Sequence, residues 1–504
     1  MQPKQALFFW NHFLNKFKKV SIIYYGNILE VVVIMKKTKI ICSIGPACMS
    51  ADILEQMVEA GMNVGRINFS HSYEEQCRDI LKLINEVRKK TGKNIGVLYD
   101  TKGPEFRNDP LKNDEIDLVE GNTIRIVKEH ILGTEKAFSV NHPEALDGID
   151  VGNFFLLENG LMKMEVISKE DDGVTCKIIN GGTLGNKKSI NVPGVHLNIP
   201  FISEQDRKDI IFACHNEGDF LAASFVSCKK DILEIRKILK EEKSNMKIIS
   251  KIENTTAIKN IEEIVEESDG IMIARGDLGV EANMEDLPHL QKEIIRLCRK
   301  HSTFVIVATE MLESMKTSLR PTRAEISDVA NAIIDGTDAV MLSGETTVGK
   351  YPVNVVKIMA NICETQEEHS DFDRNYHFDR ENNIAEMISS SVVTSANELK
   401  AKLIIASTLS GYTARKISNM KPNCTILATC HDEEIARSLS LHYGVETKTI
   451  PFYDSTDQII EESINAAKEK FDLKENDIIV ITGGFSKEKK EKHTTNLMKI
   501  EKIA

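Results

Sequence analysis

Lys247–Val280 reads KIISKIENTTAIKNIEEIVEESDGIMIARGDLGV. Two apolar runs, Lys247–Ile252 and Gly270–Ala274, flank a helical segment. Each ends abruptly in charge: Lys251 with Glu253, and Arg275 with Asp277. Apolar runs of strand length are the pattern of strands buried on both faces of a parallel sheet. Two carboxylates beside a lysine and an arginine suit a divalent cation bridged to a phosphorylated ligand. Hard cations take oxygen ligands, and phosphoryl transfer needs positive charge where negative charge spreads. Salt-bridged caps on two ordinary strand ends would look the same, so the stretch alone leaves both readings open.

Working outward, buried-type strands are expected at Thr38–Ile44, Asn63–Phe69, Ile95–Tyr99, Phe220–Val226, Lys247–Ile252, Gly270–Ala274, Phe304–Ala308 and Ala339–Leu342. Amphipathic helical patterns separate most neighbours: Ala51–Ala60, Glu74–Lys90, Lys230–Lys240, Pro288–Lys300 and Arg323–Asp335. Eight strand–helix repeats are the signature of a closed (β/α)8 TIM barrel, whose active site lies at the carboxyl ends of the strands. Those ends carry Arg66 and Asn68, Asp100 and Lys102, Ser224, Lys251 and Glu253, Arg275 and Asp277, Thr309 and Glu310, and Ser343 and Glu345. Plain helix caps would not gather lysine, arginine and acids on one rim, so a catalytic rim is expected.

The repeat is interrupted after the third strand. Residues 103–199 switch to period-two alternation with glycine-rich turns, which predicts an inserted all-β lid domain, a small β-barrel, at the catalytic rim. Such a lid can close and exclude water. From about Glu364 a polar connection, EEHSDFDRNYHFDRENN, leads to strands expected at Leu403–Ser407, Thr425–Thr429, Thr447–Pro451 and Ile478–Thr482. They form a C-terminal open α/β domain. The division is therefore 35–102 with 200–363 for the α/β barrel, 103–199 for the lid and 364–504 for the C-terminal domain. In the last of these, STLSGYTARKIS opens a helix with a turn whose amides and hydroxyls suit a phosphate, although such turns are also plain caps. The run KEKKEK at Lys487–Lys492 could add cations there, or simply be a solvated loop.

Composition sets the outer limits. A chain of 504 residues needs about three domains. Hydrophobic residues make up 41% and charged ones 28%, which is ordinary for a soluble globular protein. The net charge of −12 argues against nucleic acid or an anionic membrane as partner. None of the ten cysteines forms a CxxC pair, so they read as small core residues in a reducing cytoplasm. Residues 1–34 read as an N-terminal extension outside the fold, with Met35 as the functional start. Their apolar tract from Val20 to Ile34 is interrupted by Asn27 and Glu30 and is short for a membrane span, and a membrane or partner anchor is the competing reading.

In order along the chain, KTKIICSIGP, GMNVGRINFSH, DTKGPEFR, KIEN, IMIARGDLGVE, RPTRAEISDVANAIIDGTDAVMLSGET and GKYP resemble the pyruvate kinase family. The resemblance runs from about Met35 to the C-terminus and is loosest in the last domain. It implies transfer of the phosphoryl group of phosphoenolpyruvate to ADP, giving ATP and pyruvate, the last step of glycolysis. It also implies Mg2+ (or Mn2+) and K+ as cofactors, a cytoplasmic homotetramer and a phosphorylated allosteric effector. Residue by residue, Glu253 and Asp277 resemble the Mg2+ ligands, and Asn68, Ser70, Asp100 and Thr101 the K+ site. Lys251 and Arg66 would hold the transferring phosphoryl group. Gly276, Asp277 and Thr309 would cradle the substrate carboxylate, with Thr309 in the proton relay and Ser343 also at the substrate. Asn68, His71 and Arg107 would meet the nucleotide, and Glu105 is the residue type linked to K+ dependence. Thr408, Ser410, Gly411 and Thr413 would bind the effector. A barrel lyase acting on a pyruvate enolate, also metal-dependent, is the alternative that fold alone would permit.

The sequence departs from the family pattern at several places. Glu310 stands where glutamine is usual, Gln205 replaces a lysine, and Glu158-Asn159 replaces a pair of acids. Leu409 occupies a position where charge is common, and FSKEKKEKH replaces a glycine-rich final loop. These changes bear on nucleotide preference and on effector identity.

Overall fold

The computed structural model describes residues 36–195, 197–370, 383–484 and 495–504, together with the backbone of 20–25 and 28–33. Eight parallel strands close into a barrel: β1 (Lys39–Ser43), β2 (Val64–Asn68), β3 (Gly96–Asp100), β4 (Phe220–Ala223), β5 (Lys247–Ile252), β6 (Gly270–Ala274), β7 (Phe304–Ala308) and β8 (Ala339–Leu342). All eight expected strands are present, with edges moved by three residues at most. Their side chains divide by the two-residue period. Ile41, Val64, Leu98, Phe220, Ile249, Met272, Ile306 and Met341 fill the barrel interior. The alternate residues pack outward on the helices, as Cys42, Ile67, Val97, Leu221, Ile248, Ile271, Val305 and Val340 do. Burial on both faces is what turned these strands into unbroken apolar runs.

The insertion between β3 and β4 is all-β. A six-stranded sheet takes in Thr123–Val127, Ala137–Ser139, Phe154–Leu157, Met162–Glu170, Gly173–Asn180 and Ile190–Asn191, and Glu115–Leu118 pairs separately with Gly182–Gly185. The lid is thus two sheets around its own core, which includes Ile126, Phe138, Phe155, Met164 and Cys176. The helix Pro352–His369 carries on into the first residues expected as a polar connection. The rest of that connection, the Lys487–Lys492 run and most of 1–34 lie outside the described residues. Within 1–34, Val20–Tyr25 and Ile28–Val33 pair as an antiparallel hairpin.

The C-terminal sheet has the order β11-β10-β9-β12-β13, where β9 is Leu403–Ser407, β10 Thr425–Cys430, β11 Val445–Thr449, β12 Ile478–Gly483 and β13 Leu497–Lys502. The last strand was not expected and runs antiparallel to β12 at the sheet edge. This domain seals the amino-terminal floor of the barrel. Leu441 joins the barrel-interior cluster, and His442 lies against Phe304 with ring centroids 5.0 Å apart. Buried charge pins the contact. Lys421 meets Asp338 at 2.5 Å, Arg437 donates to Asp219 at 3.0 Å, and Lys39 donates to the Val445 carbonyl at 2.6 Å. Breaking a buried pair costs more than replacing both partners, because a lone charge is left without water. Lys421→Met should therefore lower stability by about 3–5 kcal/mol in denaturant titration, and Lys421→Met with Asp338→Leu should recover most of the loss.

Candidate active site

The site is built where the strands stop. Asn254 ends β5 by capping the next helix, its side-chain oxygen accepting from the Ala257 amide at 2.8 Å. This leaves Lys251 and Glu253 at the rim, almost fully buried. One cavity of about 440 Å³ is lined by Arg66, Asn68, Ser70, His71, Asp100, Thr101, Arg107, Lys251, Glu253 and Asp277, together with Lys102, Glu105, Lys187, Ser224 and Phe225. The first ten are expected site residues from four separate stretches of sequence, and the fold brings them together.

Asp100 is the hub. It accepts from Arg66 Nε at 2.7 Å and from Lys251 Nζ at 3.2 Å. Burial disfavours its charge, but Arg66 and Lys251 outweigh burial and hold the carboxyl below its ordinary range. Arg66 also donates to Ser43 Oγ at 2.8 Å. Lys251 contacts Glu253 at 2.8 Å and Ser224 Oγ at 2.8 Å. Burial works against its charge too, yet Asp100 and Glu253 raise the ammonium above the usual lysine range. Glu253 goes the other way. Burial pushes it up to about 6 despite Lys251, and the charge of Asp277 adds to the rise. Burial likewise raises Asp277. Two buried carboxylates that repel each other form a donor set for a hard divalent cation, which needs only one or two carboxylates when a phosphate supplies the rest. The oxygens of Asn68, Ser70, Asp100 and Thr101 on the same cavity wall could hold a monovalent cation.

Gly276, Thr309 and Ser343 lie outside that lining. The Gly276 amide donates to Thr309 Oγ1 at 2.8 Å, which donates in turn to the Ala308 carbonyl at 2.6 Å. Thr309 and Glu310 have φ of 68° and 54°. Consecutive left-handed non-glycine residues are strained and persist where the surroundings dictate them. The clamp here is Glu345, whose carboxylate accepts from Ser343 N at 2.7 Å and from Leu312 N at 3.2 Å. Arg275 braces the same turn, reaching the Thr309 carbonyl at 2.8 Å and Asp328 at 2.7 Å.

Arg107, at the lid base, is forked onto Glu105 at 2.9 and 2.8 Å and donates to the Lys187 carbonyl at 2.6 Å. A second cavity of about 390 Å³ runs between lid and barrel and shares Glu105, Arg107, Phe225 and Asp277 with the first. Lid and barrel also touch where Asn191 donates to Glu281 at 3.1 Å. Ser224, Phe225 and Lys187 were not among the expected site residues. Ser224 was visible only as a strand end, and Lys187 as part of a basic lid turn, Asn186-Lys187-Lys188.

The expected effector residues sit apart, in the turn between β9 and the helix Tyr412–Asn419. The Thr408 amide donates to the Thr429 carbonyl at 2.9 Å, Gly411 has φ of 78°, and Thr413 Oγ1 pairs with Thr495 Oγ1 at 2.8 Å. Of the departures, Glu310 is exposed, Gln205 donates to Asp209 at 2.8 Å, and Glu158 pairs with Lys188 at 2.5 Å.

The family model described as pyruvate kinase, barrel domain, matches residues 35–356, and that described as pyruvate kinase, alpha/beta domain, matches 386–501. Proteins named pyruvate kinase from Geobacillus stearothermophilus and Staphylococcus aureus are each 44% identical over 475 residues, 93% of this chain and 81% of theirs. A crystal structure of a pyruvate kinase from Cryptosporidium parvum superposes with a TM-score of 0.88 at 37% identity, covering 93% of this chain and 96% of that one.

A divalent cation held by Glu253 would compete with protons there. Its carboxyl is raised to about 6, so it is charged above that pH and neutral below it. Manganese affinity, measured by electron paramagnetic resonance, should fall as pH drops through about 6. Lys251→Met removes the nearby charge that most strongly pulls Glu253 down, and the fall-off should then begin at higher pH.

Proposed function

The chain belongs to the pyruvate kinase family and is a phosphotransferase, and from that premise we propose how its residues divide the transfer of the phosphoryl group from phosphoenolpyruvate to ADP. The supporting observation is the convergence of Arg66, Lys251, Glu253 and Asp277 on one cavity at the barrel rim.

An ADP phosphate oxygen attacks the phosphorus of phosphoenolpyruvate, and the bond from phosphorus to the enol oxygen breaks. ATP and the enolate of pyruvate result, and the enolate takes a proton at its methylene carbon. Lys251, aimed by Asp100, Ser224 and Glu253, places its positive charge on the transferring phosphoryl group, where preorganised charge acts most strongly. Arg66 presents its planar fork to the same oxygens. The Gly276 and Asp277 amides, with Thr309, receive the substrate carboxylate, and Ser343 is assigned to the substrate as well. Thr309 passes the proton through its hydroxyl. Asn68, His71 and Arg107 meet the nucleotide, which we assign to the cleft between lid and barrel.

Glu253 and Asp277 would hold Mg2+, and Asn68, Ser70, Asp100 and Thr101 would hold K+. When bound, these ions supply positive charge to the phosphoryl and nucleotide oxygens. The chain would work as a cytoplasmic homotetramer. The compartment is supported by ten unpaired cysteines, and among the described residues no helix is long and apolar enough to cross a membrane. Thr408, Ser410, Gly411 and Thr413 would bind a phosphorylated effector: a sugar bisphosphate, a sugar monophosphate or a nucleoside monophosphate.

Two measurements test this assignment. Lys251→Met should reduce pyruvate formation by about 10²–10³-fold while circular dichroism stays that of the wild type, and near-normal turnover would refute its role. Substrate saturation with and without phosphorylated metabolites should reveal activation. That activation should be lost in Ser410→Ala, and an unchanged activation curve would place the effector elsewhere.

A further inference from the structure

One turn links Asp100, Lys251 and Glu253 at the phosphoryl site. It is Ser224–Phe225, directly after β4, and β4 pairs with β3 on one side and β5 on the other. Those neighbours end in Asp100 and Thr101, and in Lys251 and Glu253. Ser224 is 3% exposed, and its hydroxyl lies between them. It accepts from Lys251 Nζ at 2.8 Å and donates to the Thr101 carbonyl at 2.8 Å, with Asp100 Oδ1 at 3.3 Å. The Ser224 amide donates to Thr101 Oγ1 at 3.1 Å. Phe225 has φ of 58°, a left-handed conformation unusual for an aromatic residue. That conformation delivers its amide to Glu253 Oε2 at 2.6 Å. Gly103 closes over the turn, and a Cβ there would stand 2.9 Å from Ser224 Cβ.

We propose that the Ser224–Phe225 turn is the positioning element of the reaction: the Ser224 hydroxyl aims the Lys251 ammonium and ties it to the Thr101 carbonyl of the monovalent-cation set, while the left-handed Phe225 amide aims Glu253. Neither residue is itself given a chemical step. This rests on the roles proposed above for Lys251, Glu253 and the potassium oxygens, and it adds that those groups are aligned through one shared turn. A serine fits because a single hydroxyl can accept from an ammonium and donate to a carbonyl together. Alanine does neither, and a thiol of similar size is a weak acceptor.

The test uses the full chain with Ser224→Ala, Ser224→Cys, Phe225→Gly and Phe225→Ala, checked by circular dichroism. Misplacement of a catalytic group by a fraction of an ångström to 1 Å costs up to about 10²-fold. Both Ser224 variants should lose about 10- to 100-fold in kcat with a smaller change in KM for phosphoenolpyruvate. Thallium, a potassium stand-in followed by thallium NMR, should bind each of them severalfold more weakly than the wild type. Glycine adopts positive φ without cost, so Phe225→Gly should keep more turnover than Phe225→Ala. Recovery of turnover in Ser224→Cys alone would mean that packing, not hydrogen bonding, is what matters, and would overturn the proposal. So would wild-type kcat in both Ser224 variants, or Phe225→Ala matching Phe225→Gly. A wild-type chain that binds no thallium overturns the potassium assignment instead, while the kcat values still decide the positioning of Lys251.

Discussion

The rim depends on the burial of the Lys251 ammonium. An ammonium out of water is costly unless it is paired and fully hydrogen-bonded. Here three partners from two other strand ends and its own strand meet it: Asp100, Ser224 and Glu253. The same contacts that make the charge tolerable also fix its direction. Mobile lysine on a flexible stem becomes a charge held at one point. Because the partners belong to β3, β4 and β5, the charge can be placed only when the barrel has closed with these strands in register.

Stability and chemistry are divided between the two ends of the barrel. At the floor, Leu441 plugs the interior and buried ion pairs fasten the C-terminal domain. At the rim, Lys251 and Arg66 face Asp100, Glu253 and Asp277, and burial raises two of those carboxyls above their ordinary values. This division follows the general plan of the fold, where strand carboxyl ends carry function and amino ends carry stability.

The sequence made the barrel legible because burial on both faces writes each strand as an unbroken apolar run. It made Lys251, Glu253, Arg275 and Asp277 legible because charge interrupts such a run abruptly. Other features leave weaker marks. β13 reads LMKIEK, half polar because it is a sheet edge, and an edge strand need not be apolar. The first residues of the expected polar connection are helical through His369 because that helix packs one buried face, including Cys363 and Glu367, on the barrel. Ser224 was legible only as a polar strand end on the rim, and the role of Phe225 was not legible, since a left-handed backbone at phenylalanine cannot be read from residue type. Arg275 was legible only as a charge at a strand end, and its bonds to Asp328 and the Thr309 carbonyl make it a brace of the rim.

The charge lining the rim cavity is close to balance. Asp100, Glu105, Glu253 and Asp277 face Arg66, Lys102, Arg107, Lys187 and Lys251. On the metal assignment proposed above, a divalent cation between Glu253 and Asp277 would tip that balance towards positive charge and ease the repulsion that adds to burial in raising the Glu253 carboxyl. A phosphorylated anion would then be drawn to Arg66 and Lys251. Arg107 is held in a fork by Glu105, and on the assignment proposed above a nucleotide phosphate would have to compete with that carboxylate for it. In this chain, then, an overall charge of −12 is compatible with binding two highly anionic substrates. Attraction comes from a few fixed cations in a buried cleft, where local charge counts far more than the distant surface.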